Sequence, residues 1–269
     1  MRGCAIVPAY DAERTVAAVV RELVSAWPHP GAVIVVDDGS ADGTADAARI
    51  AGARVLRHPH NRGKGAALRT GLALAAREGF DVAVTVDADG QHPTGEALAL
   101  LAADPDPDAL LLGIRDLEAA GAPRANRISN GISNFFLSVF AGRRLRDTQC
   151  GLRRYPVEPT LALGGSADGY AFEAEIILCA VAGGLRIVEV PVRVIYPPEG
   201  TRVTHFDSVR DPARIVGTVV RTLARTHLSS SPPRAGRGAG VVVDAAAAAR
   251  ARTRPETPRP SQRPDTPVP

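Results

Sequence analysis

Lysine is almost absent from this chain: Lys64 is the single one among 32 basic residues. Aromatic residues are scarce as well, at 4% of 269. A surface that stacks bases between basic side chains has little to work with, so no nucleic-acid partner is expected. Cysteine is represented only by Cys4, Cys150 and Cys179, far apart and in no CxxC or metal-binding spacing. That excludes a disulfide-built scaffold and a zinc module, and it points to a reducing compartment. Long uncharged apolar runs are missing too; none approaches the roughly 18 residues that a membrane-spanning helix needs. The opening residues, "CAIVPAY", read as a strand and not as a cationic segment followed by an apolar core, so no secretory leader is expected. The expectation is a cytoplasmic protein, soluble or peripheral at the inner face of the membrane.

The net charge of +3 hides a division. Ser229 to Pro269 holds seven arginines against Asp244, Glu256 and Asp265, a net of +4, which leaves residues 1–228 at about −1. The same segment has eight of the 22 prolines and, apart from "VVV", almost no large apolar side chains. It cannot bury a core, so residues 229–269 read as a disordered Pro/Arg/Ala-rich tail. Such a tail is either a solvated extension or an electrostatic tether to an anionic surface. Residues 1–228 are then the folded domain.

Within that domain, "CAIVPA", "AVIVVDD", "ARVLRH", "DVAVTVDAD" and "DALLLG" are strand-like. Between them, "ERTVAAVVRELVSAW", "TADAARIAGA", "GKGAALRTGLALAAREG" and "TGEALALLAAD" place apolar residues at helical spacing. Apolar strands alternating with helices predict a doubly wound, mainly parallel α/β sheet with helices on both faces. Residues 1–113 form this half; residues 114–228 follow a different pattern. There "RANRISNGISNFFLSVFAG" reads as a helix, "RDTQCGLRRY" as a polar loop and "GYAFEAEIILCAVAGG" as a helix. "LRIVEVPVRVIY" reads as strand segments broken at Pro191, and "DPARIVGTVVRTLART" as a last amphipathic helix.

In doubly wound sheets ligands bind beyond the carboxyl ends of the strands. Four polar motifs stand at those ends: "PAYDAE", "DDGSADGT", "HPHNRGKG" and "DADGQHP". In the second, Asp37 is read as a turn residue and Asp38 as a ligand contact for a ribose or base. In the third, Lys64 is either a solvated helix-start residue or a nucleotide contact; the spacing is not that of a phosphate-binding P-loop. In the fourth, Asp89 and Gln91 offer two hard oxygen ligands on alternate residues, and Asp87 can reach a sugar or ribose hydroxyl. Mg²⁺ or Mn²⁺ suits such a pair, since it keeps waters and substrate phosphates in its shell.

Together "IVPAYDAE", "VIVVDDGSADGT", "HNRGKGAALRTG" and "VTVDADGQHP" resemble glycosyltransferase family 2, of the dolichyl- or polyprenyl-phosphate sugar synthase type. The resemblance covers about residues 4–225 and implies a GT-A fold. It further implies inverting transfer from a nucleotide-diphospho-sugar of the GDP-mannose or UDP-glucose class, with Mg²⁺ or Mn²⁺ and a polyprenyl-phosphate acceptor at the membrane surface. By the same resemblance Pro8, Tyr10, Val36 and Asp38 hold base and ribose, and Asp87, Ala88 and Asp89 face the nucleotide-sugar, with Lys64 nearby. Asp89 and Gln91 bind the metal, Arg115 and Arg127 the sugar and phosphate, and Arg202 closes over the diphosphate. One departure stands out: Asp11 and Ala12 occupy the place where the family often has Asn-Glu, leaving Glu13 one position late.

A phosphate acceptor is already ionised and needs only cations to position it, for which Arg127, Arg153 and Arg202 are suited. A hydroxyl acceptor on a glycan or lipid needs a general base. Asp147, at the acceptor mouth, and Glu175 are the candidates; Glu173, two residues away on the same helix, faces elsewhere. From a different class, a sugar-nucleotide-forming nucleotidyltransferase is expected to show a glycine- and arginine-rich loop after the first strand, where this chain has "PAYDAERT". A non-catalytic nucleotide-sugar-binding module is argued against by Asp89, Gln91 and Arg202. "ISNFFLSVFAG" contains three of the six phenylalanines. It is either buried against the sheet or an apolar face dipping into a bilayer.

Overall fold

The computed structural model describes residues 1–196, together with Gly217 and Thr222, which are both helical. Arg202, the remainder of the last expected helix, the boundary near 228 and the tail lie outside the described residues.

The apolar runs form the strands expected of them: β1 (Gly3–Ala9), β2 (Val33–Asp37), β3 (Arg54–Arg57), β4 (Val82–Thr85) and β5 (Leu110–Arg115). The intervening segments form α1 (Glu13–Ala26), α2 (Thr44–Ile50), α3 (Lys64–Arg77) and α4 (Thr94–Ala102). Beyond β5 come α5 (Arg124–Ala141), β6 (Arg153–Pro156), α6 (Val157–Ala162), α7 (Ala171–Ala182) and β7 (Ile187–Val192). The seven strands lie in the order β3-β2-β1-β4-β6-β5-β7. Among them only β6 runs antiparallel to its neighbours. Helices α1, α2 and α4 pack together, while α3 packs with α6 and α7. The sheet is thus covered on both faces, which is why its inner strands are apolar throughout.

The chain runs outward from β1 to β2 and β3, then returns to place β4 on the other side of β1. That reversal opens a crevice above the carboxyl ends of β1 and β4, where open α/β sheets bind ligands. Helix α3 lies close on β1 at Gly71, where an added Cβ would sit 2.6 Å from Ile6 Cγ2.

Three expectations need correction. "RDTQCGLRRY" is not wholly a loop, since Arg153–Pro156 is a central strand with both arginines sealed from solvent. Their charge is accommodated by backbone carbonyls: Arg153 donates to those of Thr148, Cys150 and Glu173, at 2.8, 2.9 and 2.7 Å. Arg154 does the same with Leu101, Asp104 and Asp106. Arg153 is therefore a structural tie and not a cation for an acceptor. Pro191 does not break β7, because that strand is an edge and the proline stands exposed where no ladder hydrogen bond is required. Finally, the phenylalanines of α5 are not buried against the sheet: Phe135, Phe136 and Phe140 are all exposed. No described helix is long and apolar enough to cross a membrane.

Candidate active site

The loops after β1 and β2 are zipped together. Asp11 N–H donates to Ser40 Oγ at 2.9 Å, Asp11 Oδ1 accepts from Ala41 N–H, and Ala12 N–H donates to Thr44 Oγ1. Asp11 adopts a positive φ of 45°, which aspartate tolerates better than most residues. Glu13 accepts from Gly43 N–H at 3.2 Å, so the late glutamate faces this loop. Pro8 and Tyr10 are half-buried at the rim. Val36 is fully buried in β2 and offers no side-chain face to a ligand.

Asp38 is buried and committed. It accepts from the amides of Arg62 and Gly63 at 3.0 and 2.6 Å and meets His58 Nδ1 at 2.6 Å. His58 Nε2 in turn lies 2.9 Å from Thr70 Oγ1. Rather than reaching out to a ribose, Asp38 shapes the loop that leads into α3. His58 was not foreseen; its only signal is its place at the end of a strand. Asp37 behaves as a turn residue, accepting from Ser40 and pairing with Arg57 at 3.0 Å.

At the end of β4 the charges converge. Lys64 opens α3 behind Gly63, whose φ of +93° turns the chain into the helix. Its Nζ lies 2.7 Å from Asp87 Oδ1 and 3.2 Å from Glu173 Oε1, with the Tyr170 ring 5.6 Å away. Lys64 is thus neither solvated nor free: it bridges α3, β4 and α7. Burial opposes its charge, but Asp87 and Glu173 more than compensate and hold it above the usual lysine range. Burial likewise disfavours the Asp87 carboxylate, yet Lys64, His92 and Arg115 keep its pKa below the ordinary value. Asp89 is pushed the other way, up to about 6, by burial and by the negative charge of Asp87. Its Oδ1 accepts from Gln91 N–H, at 2.9 Å. Ala88 is buried between the two aspartates. Gly151 presses on the Asp87 carboxylate so closely that a Cβ would overlap it.

Arg115 and Asp147 are locked together: Nε to Oδ2 at 2.7 Å, Nη2 to Oδ1 at 3.0 Å, with the Arg115 amide on Oδ2 at 3.1 Å. Asp147 is buried, so the expected acid at the acceptor mouth is instead the clamp that orients Arg115. Glu175 is also diverted, accepting from the amides of Ser166 and Ala167, both at 2.7 Å. Of the two α7 carboxylates it is Glu173, facing Lys64, that reaches the cluster. Arg127 is exposed near the start of α5, 3.4 Å from Glu118. Just beyond β7, Ile195 N–H donates to Gln91 O at 2.8 Å.

Among the described residues no three His, Cys, Asp or Glu side chains converge into a metal-binding group. Asp89 and Gln91 nevertheless fit one kind of cation. A desolvated carboxyl held up by a neighbouring anion gains most from a nearby positive charge. Two protein ligands suffice for an ion that takes the rest of its shell from water and diphosphate.

Residues 4–154 match the family model for Glycosyl transferase family 2. The chain belongs to that family. It is a glycosyltransferase, built on the same strand-end motifs that its sequence displays. Over 206 residues it is 30% identical to an undecaprenyl-phosphate mannosyltransferase of Micrococcus luteus, covering 72% of this chain and 84% of that protein. It is also 30% identical to a polyprenol monophosphomannose synthase of Mycolicibacterium smegmatis over 207 residues, 71% of this chain and 76% of the relative. Among solved structures, glucosyl-3-phosphoglycerate synthase of Mycobacterium tuberculosis in complex with Mg²⁺ and uridine diphosphate shares the fold. The TM-score is 0.64 at 20% identity, covering 83% of this glycosyltransferase and 79% of that chain.

Proposed function

We propose that this glycosyltransferase moves a hexose, with inversion, from a nucleotide-diphospho-sugar of the GDP-mannose or UDP-glucose class to a polyprenyl phosphate. The observation that carries the reading is the pair Asp87 and Asp89, adjacent at the switch point and driven apart in acidity. Paired groups whose environments separate their acidities mark sites where charge is handled. Asp89 and Gln91 would hold Mg²⁺ or Mn²⁺, which when bound supplies the positive charge that offsets the diphosphate as it leaves. Asp87, anchored by Lys64, faces the donor, and Arg115, oriented by Asp147, presents its guanidinium on the acceptor side. Arg127 and Arg202 are assigned to the phosphates by the family resemblance alone.

The placement of the carboxylates supports that acceptor. Asp147 is consumed by Arg115, Glu175 by two backbone amides, and Glu173 by Lys64. Each of these is already engaged by a partner within the fold, which favours a nucleophile that has no proton to lose. An ionised phosphate oxygen attacks the anomeric carbon, the bond to the diphosphate breaks, and the nucleoside diphosphate departs. The polyprenyl-phosphate names of the two relatives support the same choice.

Glu175→Gln and Asp147→Asn therefore each retain measurable transfer in initial-rate assays, lowered through positioning alone. Arg127→Ala and Arg202→Ala are severe, because phosphates lose charge-assisted partners. A carboxamide variant that binds donor normally and yet loses ~10² or more in rate would assign the acceptor to a hydroxyl instead.

A further inference from the structure

The clamp between Asp147 and Arg115 has a cradle of its own. Gly142, at a left-handed φ of 63°, ends α5 and turns the chain back along it. Residues 145–148 then run beside Ser138 and Asn134, which lie one turn apart on the helix. Leu145 N–H donates to Ser138 Oγ at 2.8 Å. Asn134 spans Asp147: its Nδ2 donates to the Arg146 carbonyl at 2.6 Å, and its Oδ1 accepts from the Thr148 amide at 2.8 Å. The Thr148 hydroxyl donates to the same Oδ1 at 2.8 Å and lies 2.9 Å from Ser133 Oγ. The outer groups are held too. Arg146 N–H donates to Glu189 of β7 at 2.7 Å, and the Thr148 carbonyl accepts from Arg153 Nη2 of β6 at 2.8 Å. The backbone on either side of Asp147 is thus fixed from α5, β6 and β7 together.

We propose that Asn134 is a positioning residue for sugar transfer, acting through Asp147 to aim Arg115. An amide side chain suits the place: it donates to one flanking peptide and accepts from the other, which an ionised carboxylate cannot do. Asp147 takes Nε and Nη2 of Arg115 in a two-pronged fork, at 2.7 and 3.0 Å, and leaves Nη1 turned away from it. Such a fork fixes direction as well as charge, because a rotation of the carboxylate turns the whole planar guanidinium. Arg115 is largely buried, so it has little room to correct a tilt. A misplacement of about 1 Å in a preorganised site costs up to ~10²-fold in rate. The use of Arg115 at the acceptor rests on the polyprenyl-phosphate reading; the aiming of Arg115 does not.

Two measurements on the full chain test it. By NMR of isotope-labelled protein, hydrogen exchange at Arg115 Nε speeds up more than about tenfold in Asn134→Ala. Arg154, which other carbonyls hold, keeps its rate. In transfer from GDP-mannose or UDP-glucose to undecaprenyl phosphate, kcat falls about tenfold while the Kd for donor stays within about twofold. Thr148→Val shows the same pattern more weakly, and Thr148→Ser restores it. Once Asp147→Asn has loosened the fork, adding Asn134→Ala costs less than about twofold more. An unchanged exchange rate at Arg115 overturns the proposal. So does a loss fully additive with Asp147→Asn, or one in which donor binding falls along with kcat. Faster exchange at Arg115 in a chain that leaves undecaprenyl phosphate unglycosylated would remove the proposed function and keep the aiming of Arg115; transfer with an undisturbed Arg115 would do the reverse.

Discussion

Replacing Asp89 by alanine is expected to cost at least about 10²-fold in transfer rate, the usual scale for losing one preorganised electrostatic partner. The fold should not suffer. The Asp89 carboxyl is held up near 6 by burial and by Asp87, so removing it relieves a repulsion in the chain without ligands. The melting temperature is therefore unchanged or slightly higher, a pattern common where a site is kept at the expense of stability. EDTA should reproduce the loss in the unmodified chain, and Mg²⁺ or Mn²⁺ should reverse it. Initial rates and thermal melts on the same preparations check both halves. Full turnover in EDTA, or by Asp89→Ala, would remove the metal from the mechanism.

The second large effect belongs to Lys64. Its ammonium lies between Asp87 and Glu173, within 2.7 and 3.2 Å of them. Lys64→Met leaves two largely buried carboxylates facing each other, and stranded charges of that kind cost about 3 kcal/mol. The melting temperature should fall, and transfer should fall with it as Asp87 loses its anchor. Adding Glu173→Gln neutralises one stranded carboxylate, so the double variant should recover part of the stability. A thermal melt of the two variants decides it. An unchanged melting temperature in Lys64→Met would mean that the bridge between α3, β4 and α7 does not hold them together.

Much of this was legible in the residues. Runs such as Val33–Val36 and Val82–Val86 end abruptly in polar clusters, and a strand end at a crevice is where such clusters belong. What stayed hidden depends on partners distant in sequence. Asp147 looks like an acid at a mouth until Arg115, 32 positions earlier, is seen to grip it. Arg153 and Arg154 look like loop residues because the carbonyls that satisfy them come from other segments. Glu173 and Glu175 lie on a helix buried nearly all round, so apolar periodicity could not say which one faces the site. Asp38 sits where a ligand contact was expected, but loop amides reach it first. In α5 the periodicity was plain, yet a stripe facing a core and a stripe left exposed follow the same spacing.

The central claim is that a nucleotide-sugar and a polyprenyl phosphate are the two substrates of this site. Its most direct measurement is mass spectrometry of the lipid product formed by the full chain from GDP-mannose or UDP-glucose, undecaprenyl phosphate and Mg²⁺. The prediction is a polyprenyl-phospho-hexose of inverted anomeric configuration, with nucleoside diphosphate released in equal amount. Donor consumption with no sugar on the lipid, while a glycan or lipid hydroxyl becomes glycosylated instead, would contradict it.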